Sequence, residues 1–303
     1  MILVVGESLV DLITDPASGH LTACPGGSPA NVATALGRLG QPVSLLTQVG
    51  SDAHGQLILE HLAASSVALA TASLVDGAPT STARTHVDAA GQAGYHFDFT
   101  WRPFHAEVPP DTRCVHTGSI AAVVPPGAES VAALLRAARA SATISYDPNC
   151  RPTLMGDPEQ ALHRVEALIG TSDIVKISLD DLAWLHPRQP YQEVAAGWLR
   201  RGVRLVVVTL GAGGAWATSR GCAVTVDAVP VTVADTIGAG DAFMAGLLHA
   251  CAEANLLGAD RRDALTAVDE DTLTTMLRFA AHTAAVACSR RGADPPLLTE
   301  VRA

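Results

Sequence analysis

Short apolar runs alternate with helical segments along most of this chain, and that alternation limits the folds it can adopt. Six runs have the composition of buried strands, at residues 1–5, 43–49, 114–117, 143–147, 174–177 and 205–209. Helical segments lie between them, at 29–39, 54–65, 128–140, 158–169 and 191–201. Strands that alternate with helices form a mostly parallel sheet with helices on both faces. We therefore predict an α/β fold, a three-layer αβα sandwich, as a single domain over residues 1–303.

One region has a different pattern. Residues 82–88 and 95–100 alternate apolar and polar positions on either side of a loop at Gly91, which predicts a β-hairpin. A hairpin carried on an α/β chain often forms a flap over a site. We predict a small β-strand lid built from about 12–25 and 80–101.

The C-terminal third continues the alternation and adds a charged segment. Two short strands and two long helices are predicted, at 215–218, 222–226, 239–253 and 272–289. Residues 256–269 lie between the two helices and carry several charges. That segment predicts an exposed loop.

Composition narrows the class of protein. The chain has 303 residues, of which 48% are hydrophobic and 17% charged, so it can bury a sizeable core. Its net charge of −10 argues against non-specific binding to nucleic acid. The six cysteines show neither C-x-x-C nor metal-ligand spacing. With no signal-peptide pattern and no apolar stretch of about 20 residues, we expect a cytoplasmic protein without a membrane partner.

Five polar residues stand close to the ends of apolar runs. They are Asp11, Asp147, Lys176, Thr209 and Asp235. Ligands of parallel sheets bind at the carboxyl ends of the strands, so we expect these residues to line one site. Lys176 is also the only lysine of the chain.

The stretch 235–243, which reads D-T-I-G-A-G-D-A-F, carries the clearest chemical signal. Its two glycines permit a tight turn into the helix predicted from Ala239. The unpaired N–H groups of a first helical turn, together with the helix dipole, bind anions. Asp241 lies inside that turn, and a carboxylate beside an anion pocket suggests an acceptor hydroxyl held next to a phosphate. The alternative is an ordinary helix start, where Asp is common.

This stretch resembles the D-T-x-G-A-G-D-x-F signature of the PfkB (ribokinase-like) family of carbohydrate kinases. The resemblance implies transfer of the γ-phosphoryl group of ATP to a sugar hydroxyl. It also implies that Asp241 is the catalytic base, with Gly238, Ala239 and Gly240 as the anion hole. The chain has no G-x-x-x-x-G-K-[ST] motif, so a P-loop is excluded.

The resemblance extends to the sugar side of the site. The motif G-G-S-P-A-N at 26–31 resembles the family's G-G-x-x-x-N signature, and from the residues alone Ser28 is the predicted N-cap of a helix. The segment 147–151 resembles D-x-N-x-R of fructokinase-like and 2-keto-3-deoxygluconate kinase-like members, although its arginine could instead form a surface salt bridge. The residues implied to bind sugar, besides Asp241, are Asp11, Gly26, Gly27, Asn31 and Arg151.

Two further segments resemble nucleotide-binding segments of the family. Residues 176–181 resemble K-x-N-x-x-E with Ser and Asp substituted, and residues 209–214 resemble T-L-G-x-x-G, although the latter also fits an ordinary tight turn. The last helix would lie near the purine. The residues implied to bind nucleotide are Lys176, Ser178, Thr209, Leu210, Gly211, Ala212, Gly213, Gly214, Gly240, Ala281 and His282.

The resemblance implies metal ions as well. Mg²⁺ would arrive with ATP and be organised by Asp181, with Asp180 as the alternative. Many family members bind K⁺ between two loops. The residues at the corresponding positions are Asp235, Ile237, Ala287, Arg290 and Gly292.

The identity of the sugar stays open at this stage. The combination of D-P-N-x-R, K-x-S-x-x-[DE] and T-L-G is most similar to fructokinases, which makes D-fructose the first expectation. Ribose, 2-keto-3-deoxygluconate and a nucleoside are alternatives within the family, and lids of this kind suggest a homodimer. Two rivals come from other classes: a non-catalytic sugar-binding regulatory protein and a nicotinamide oxidoreductase. Residues 211–214 lack G-x-G-x-x-G and do not open a helix, which disfavours the oxidoreductase.

Overall fold

The computed structural model describes residues 1–14, 19–70, 73–75, 77–87 and 93–302. In chain order, the strands within these ranges are β1 (Ile2–Val5), β2 (Leu9–Thr14), β3 (Leu21–Gly26), β4 (Val43–Leu46), β5 (Ala68–Leu69), β6 (Thr82–Val87), β7 (Ala93–Asp98), β8 (Cys114–Gly118), β9 (Thr143–Asp147), β10 (Ile174–Ser178), β11 (Leu205–Thr209), β12 (Ala215–Thr218) and β13 (Ala223–Val226). The α-helices are α1 (Ser28–Arg38), α2 (Ala53–Ala64), α3 (Ala128–Ala138), α4 (Pro152–Met155), α5 (Pro158–Ile169), α6 (Leu179–Leu185), α7 (Tyr191–Arg200), α8 (Ala239–Glu253), α9 (Arg262–Thr266), α10 (Glu270–Cys288) and α11 (Leu298–Val301).

The larger sheet has the order β13-β12-β11-β10-β9-β8-β1-β4-β5. Its strands are parallel from β11 to β5, and only β12 and β13 pair in antiparallel fashion. Along β1, Ile2 and Val4 face one apolar cluster, whereas Leu3 and Val5 face another. Successive strand residues point to opposite faces, so helices on both sides bury the sheet. The predicted αβα sandwich with a mostly parallel sheet is confirmed.

The first cluster contains residues of α1, α8 and α10, and the second contains residues of α3, α5 and α7. Of these helices, α8 and α10 make the most extensive contact with each other. Within the described ranges, no helix is long and apolar enough to cross a membrane.

A smaller sheet has the order β3-β2-β6-β7. The predicted hairpin is confirmed as β6 and β7, which pair in antiparallel fashion from Thr82–Asp98 to Val87–Ala93. The predicted loop residue Gly91, like Asp88, falls outside the described ranges. In this sheet β2 begins at Leu9, whereas the predicted segment began at about residue 12.

Three of the five expected strand-end positions are wrong. Asp11 lies in the middle of β2, in the smaller sheet, because the alternating residues around it pair with β3. Lys176 is the third of five residues in β10. Asp235 follows residues 227–234, which form no β-strand in the structure. Asp147 and Thr209 do end β9 and β11.

The prediction of an exposed loop at 256–269 is also wrong. Leu256 and Leu265 are buried, and α9 lies within the segment. The Arg262 side chain donates to the buried Asp173 carboxylate at 2.8 Å and to two backbone carbonyls at 2.7 and 2.8 Å. Its charge is thus neutralised inside the protein, which a count of charged residues cannot reveal.

Candidate active site

Helix α8 begins at Ala239, as predicted, at the turn that carries both glycines. Gly238 is its N-cap and has φ of 75°, a left-handed conformation that residues with a Cβ atom rarely adopt. A Cβ atom at Gly238 would also lie 2.9 Å from that of Ala293. Asp241 is in the first turn and is only 6% exposed. The glycine turn therefore places a buried carboxylate beside the N-terminus of a helix.

Three side chains hold the Asp241 carboxylate. Ser28 Oγ donates to Oδ1 at 2.7 Å, Asn31 Nδ2 donates to Oδ2 at 2.8 Å, and Asn149 Nδ2 is 3.4 Å from Oδ1. The prediction that Ser28 is a helix N-cap is wrong. Gly27 occupies that position with φ of 100°, and Ser28 is the first residue of α1. The Ser28 hydroxyl is therefore available to Asp241, which is 213 residues further along the chain.

A buried ion pair lies behind the helix N-terminus. Lys176 Nζ donates to Asp147 Oδ2 at 2.8 Å, and both residues are at most 3% exposed. Burial lowers the pKa of Lys176, but the carboxylates of Asp147, Asp241 and Asp181 outweigh it, and the net pKa is raised. Burial raises the pKa of Asp147 to about 6, against the opposing effect of Lys176. The ammonium group lies 3.1 Å from where a Cβ atom on Gly240 would be.

The turn after β9 carries Asn149 and Arg151. Asn149 has φ of 38° and also donates from Nδ2 to Ser28 Oγ at 2.7 Å. Arg151 Nη1 donates to Asn149 Oδ1 at 2.8 Å and to the carbonyls of Asn149 and Cys150, both at 3.0 Å. These three hydrogen bonds of Arg151 Nη1 are thus with the turn itself.

The smaller sheet brings a second acidic group toward Arg151. Burial raises the pKa of Asp11 to about 6, and the Arg151 charge opposes that rise. A Cβ atom on Gly26 would lie 2.2 Å from Asp11 Oδ2, and one on Gly27 would lie 2.6 Å from the Glu7 carbonyl oxygen. The resemblance implies that both glycines bind sugar. The structure shows that they leave room for the Asp11 carboxyl and for the chain at Glu7.

Glu7 is a buried acidic residue that the sequence reasoning missed. It lies between β1 and β2, where the chain passes from the larger sheet to the smaller one, and is 2% exposed. Its Oε2 accepts from the Ala121 amide at 3.1 Å. Burial raises its pKa to about 7, although several hydrogen bonds and the Arg151 charge oppose this. The available signal was a carboxyl group directly after an apolar strand.

On the nucleotide side, Ser178 caps α6. Its Oγ accepts from the Asp181 amide at 3.0 Å, and Asp181 Oδ1 accepts from the Cys150 amide at 3.0 Å. Asp181 therefore faces Asp147 and Lys176, whereas Asp180 is exposed. Of the two acidic residues considered for Mg²⁺, the structure brings Asp181 into the site.

The predicted nucleotide loop follows β11. Thr209 ends the strand, and a short 3₁₀ turn, Gly211–Gly213, is exposed to solvent. The Leu210 amide donates to the Gly214 carbonyl at 2.8 Å and closes the turn. Ala281 and His282 lie in α10, the helix packed against α8; Ala281 is buried and His282 is half-buried.

Asp235 connects the two loops predicted for a monovalent cation. Its Oδ1 accepts from the Ile237 amide at 3.1 Å and its Oδ2 from the Gly292 amide at 2.9 Å. Burial raises the pKa of this carboxyl, but the backbone N–H groups outweigh it and the net pKa is lowered. The Ala287 carbonyl accepts from the Arg290 amide at 3.1 Å. Among the described residues, no three His, Cys, Asp or Glu side chains form a metal-binding cluster.

The fold and the site together define a class, an αβα protein with a small second sheet and a buried carboxylate in the first turn of a helix. Comparison with known proteins gives the family. The family model described as pfkB family carbohydrate kinase matches residues 1–300, and the chain belongs to this family. It is an ATP-dependent carbohydrate kinase.

Named relatives and solved structures support this membership. A fructokinase from Rhizobium leguminosarum bv. trifolii is 38% identical over 267 residues, which cover 85% of this chain and 81% of the relative. The structure of a Xylella fastidiosa fructokinase with bound ATP is 30% identical, with a TM-score of 0.86 over 99% of this chain and 96% of the other. A Vibrio cholerae fructokinase double mutant with bound fructose, ADP and potassium ion is 27% identical, with a TM-score of 0.78, and the match covers 99% and 94% of the two chains.

Proposed function

We propose that this protein transfers the γ-phosphoryl group of ATP to a primary hydroxyl of D-fructose, with Asp241 as the base. The observation that carries the proposal is the Asp241 carboxylate, which three side-chain donors hold at the N-terminus of α8. Fructose is the preferred acceptor because the relatives described above are fructokinases.

In this reaction, the sugar oxygen attacks the γ-phosphorus while the bond to the bridging β-γ oxygen breaks and ADP leaves. Asp241 accepts the hydroxyl proton. Phosphoryl transfer depends mainly on alignment and on stabilisation of charge, so the rigid placement of Asp241 matters as much as its basicity.

We assign the anion hole to the first turn of α8. The Ala239 amide already donates to the Thr236 carbonyl at 3.2 Å. Gly238 and Gly240 therefore supply the main amide donors, and Ala239 contributes less than the sequence predicts. The Lys176 ammonium group beside Gly240 adds a fixed positive charge at this point.

Nucleotide and ions occupy the other side of the site in this proposal. The turn 209–214, Ser178 and the wall at Ala281 and His282 hold the nucleotide. Asp181 would organise Mg²⁺, which would arrive with ATP and neutralise charge on its phosphates. The loops joined by Asp235 and Gly292 are the proposed K⁺ site, together with Ile237, Ala287 and Arg290.

The sugar lies between the two sheets in this proposal. Asp11, Asn31 and the backbone at Gly26 and Gly27 contact it, and the smaller sheet acts as a lid. A closed lid excludes water, which otherwise competes as phosphoryl acceptor. The proposal includes a homodimer that pairs through this lid.

The test is an ADP-release assay with fructose, ribose, 2-keto-3-deoxygluconate, tagatose and adenosine as acceptors. We expect the highest kcat/KM with fructose. Asp241→Asn should lower kcat by about 10²- to 10⁴-fold, because general-base catalysis and its alignment are lost. Asp180→Asn is the matched control, since Asp180 is exposed, and should leave kcat unchanged. An Asp241→Asn variant as fast as wild type would contradict the assignment of the base. A higher kcat/KM with another acceptor would contradict the proposal that fructose is the substrate.

A further inference from the structure

We propose that Ser28 is a positioning residue that acts through Asp241: its hydroxyl favours the charged form of that carboxylate and so extends activity to lower pH. This inference rests on the proposed role of Asp241 as the base. The G-G-x-x-x-N signature, which residues 26–31 resemble, leaves position 28 unspecified, so the resemblance implies no role for this hydroxyl. In the structure Ser28 is 8% exposed, and its Oγ lies 2.7 Å from Asp241 Oδ1.

The first step concerns the direction of the Ser28 hydroxyl proton. A hydroxyl group has one proton to donate, and a carboxylate only accepts hydrogen bonds. Asn149 Nδ2 donates to Ser28 Oγ at 2.7 Å. Arg151 Nη1 donates to Asn149 Oδ1 at 2.8 Å, so the nitrogen is the amide atom that faces Ser28. The Ser28 proton is therefore directed to Asp241 Oδ1.

The second step concerns the main chain around Ser28. On one side, Gly27 packs so closely that a Cβ atom there would lie 2.6 Å from the Glu7 carbonyl oxygen. On the other side, Pro29 packs on Gly6, where an added Cβ atom would lie 2.3 Å from Pro29 Cγ. The segment that leaves β1 thus contacts both neighbours of Ser28, and this packing fixes the position of the hydroxyl.

The third step concerns what remains when the hydroxyl is removed. Asn31 Nδ2 still donates to Asp241 Oδ2 at 2.8 Å, so the carboxylate stays in place. Lys176 on β10 and Asp147 on β9 interact electrostatically with Asp241, and both are unchanged by a substitution at Ser28. A hydrogen bond to a charged group favours its charged form. Loss of the Ser28 hydroxyl should therefore make the carboxylate take up a proton at higher pH.

The test is the pH dependence of kcat/KM for the acceptor that gives the highest value, measured by ADP release in wild type, Ser28→Ala and Ser28→Thr. In Ser28→Ala we expect the acidic limb, where protonation of the base reduces kcat/KM, to move up by about one pH unit. Well below the limb, this shift is a loss of about 10-fold relative to wild type. On the plateau the loss should be less than about 3-fold, because Asn31 still holds the base. Ser28→Thr retains the hydroxyl and should keep the wild-type limb.

An acidic limb that stays at the wild-type pH in Ser28→Ala would overturn the proposal, as would a limb that moves equally in Ser28→Thr. A sugar KM raised about 10-fold or more at every pH would also overturn it, since the hydroxyl would then bind the sugar. The matched control is Thr34→Val on the same helix. Thr34 Oγ1 is buried and has no hydrogen-bond partner among the described residues, so its removal should change neither the limb nor kcat.

Thermal unfolding shows whether each variant is folded. If Ser28→Ala is not, Ser28→Cys replaces it, and because a thiol is a weaker donor the limb should move in the same direction. The Asp241→Asn variant separates the two levels of the proposal. An active Asp241→Asn refutes the proposed base, whereas an inactive one with an unshifted limb in Ser28→Ala refutes only the role of Ser28.

Discussion

At the scale of single residues, the only lysine of the chain lies behind the proposed phosphoryl site. Lys176 is 3% exposed and is paired with Asp147, whose Oδ1 has no hydrogen-bond partner within the described protein. Removal of one partner of a buried ion pair leaves an uncompensated charge, which costs about 3–5 kcal/mol. Removal of both partners avoids that cost. The pair therefore allows its structural and electrostatic effects to be measured separately.

We predict that Lys176→Met lowers both the free energy of unfolding and kcat. The double variant Lys176→Met/Asp147→Asn should recover most of the stability, because the Asp147 carboxylate is no longer left without its cation. Its kcat should stay at least about 10-fold below wild type, because the positive charge beside Gly240 is still missing. Chemical denaturation and the ADP-release assay measure the two effects. Recovery of kcat in the double variant would show that Lys176 serves only to neutralise Asp147.

At the scale of elements, the start of α8 depends on Gly238. Its φ of 75° and the closeness of Ala293 both disfavour a Cβ atom at this position. No other residue type fits here without moving the exit segment of α10, which contains Ala293. The element that carries Asp241 is therefore fixed by one residue that has no side chain.

We predict that Gly238→Ala destabilises the protein by about 1–2 kcal/mol, since the left-handed conformation and a close contact are both penalised. It should also lower kcat, because the first turn of α8 shifts. The matched control is Gly197→Ala inside α7, where the nearest atom to the added Cβ would be 3.8 Å away. That change should be neutral or stabilising by up to about 1 kcal/mol. Equal melting temperatures of the two variants would contradict the prediction.

At the scale of the whole molecule, the chain passes from the larger sheet to the smaller one at Glu7. The pKa of Glu7 rises to about 7 from a usual value of 4.5 when the protein folds, with burial as the main cause. The folded state therefore holds a proton that the unfolded state has already released between these two pH values. Stability must fall as pH rises from about 4.5 to about 7, and the loss is complete above that range.

We predict that Glu7→Gln removes this loss, because glutamine stays neutral and can still accept from the Ala121 amide. Relative to wild type, its free energy of unfolding should increase between about pH 5 and pH 8, by up to about 3 kcal/mol. Urea denaturation across this range is the measurement. Glu193→Gln, at an exposed position of α7, is the control and should show no such change. A stability difference independent of pH would mean that Glu7 is ionised throughout.

Much of the fold could be predicted because its signals are local. The apolar runs at β1, β9 and β11 and the glycine turn at Gly238 lie within a few residues of the elements they specify. Hydrophobic periodicity and backbone conformation depend on neighbouring residues, so they can be read from the chain. The charged segment 256–269 was predicted wrongly because its burial depends on Asp173, a residue of a distant element.

The sequence by itself determined the αβα architecture, the helix that begins at Ala239 and the position of Asp241 in its first turn. Only the tertiary structure decided which groups hold that carboxylate. Ser28, Asn31 and Asn149 precede Asp241 by 213, 210 and 92 residues. Hydrogen bonds of this kind depend on distances of a few tenths of an ångström between separate elements, and no local pattern encodes those distances.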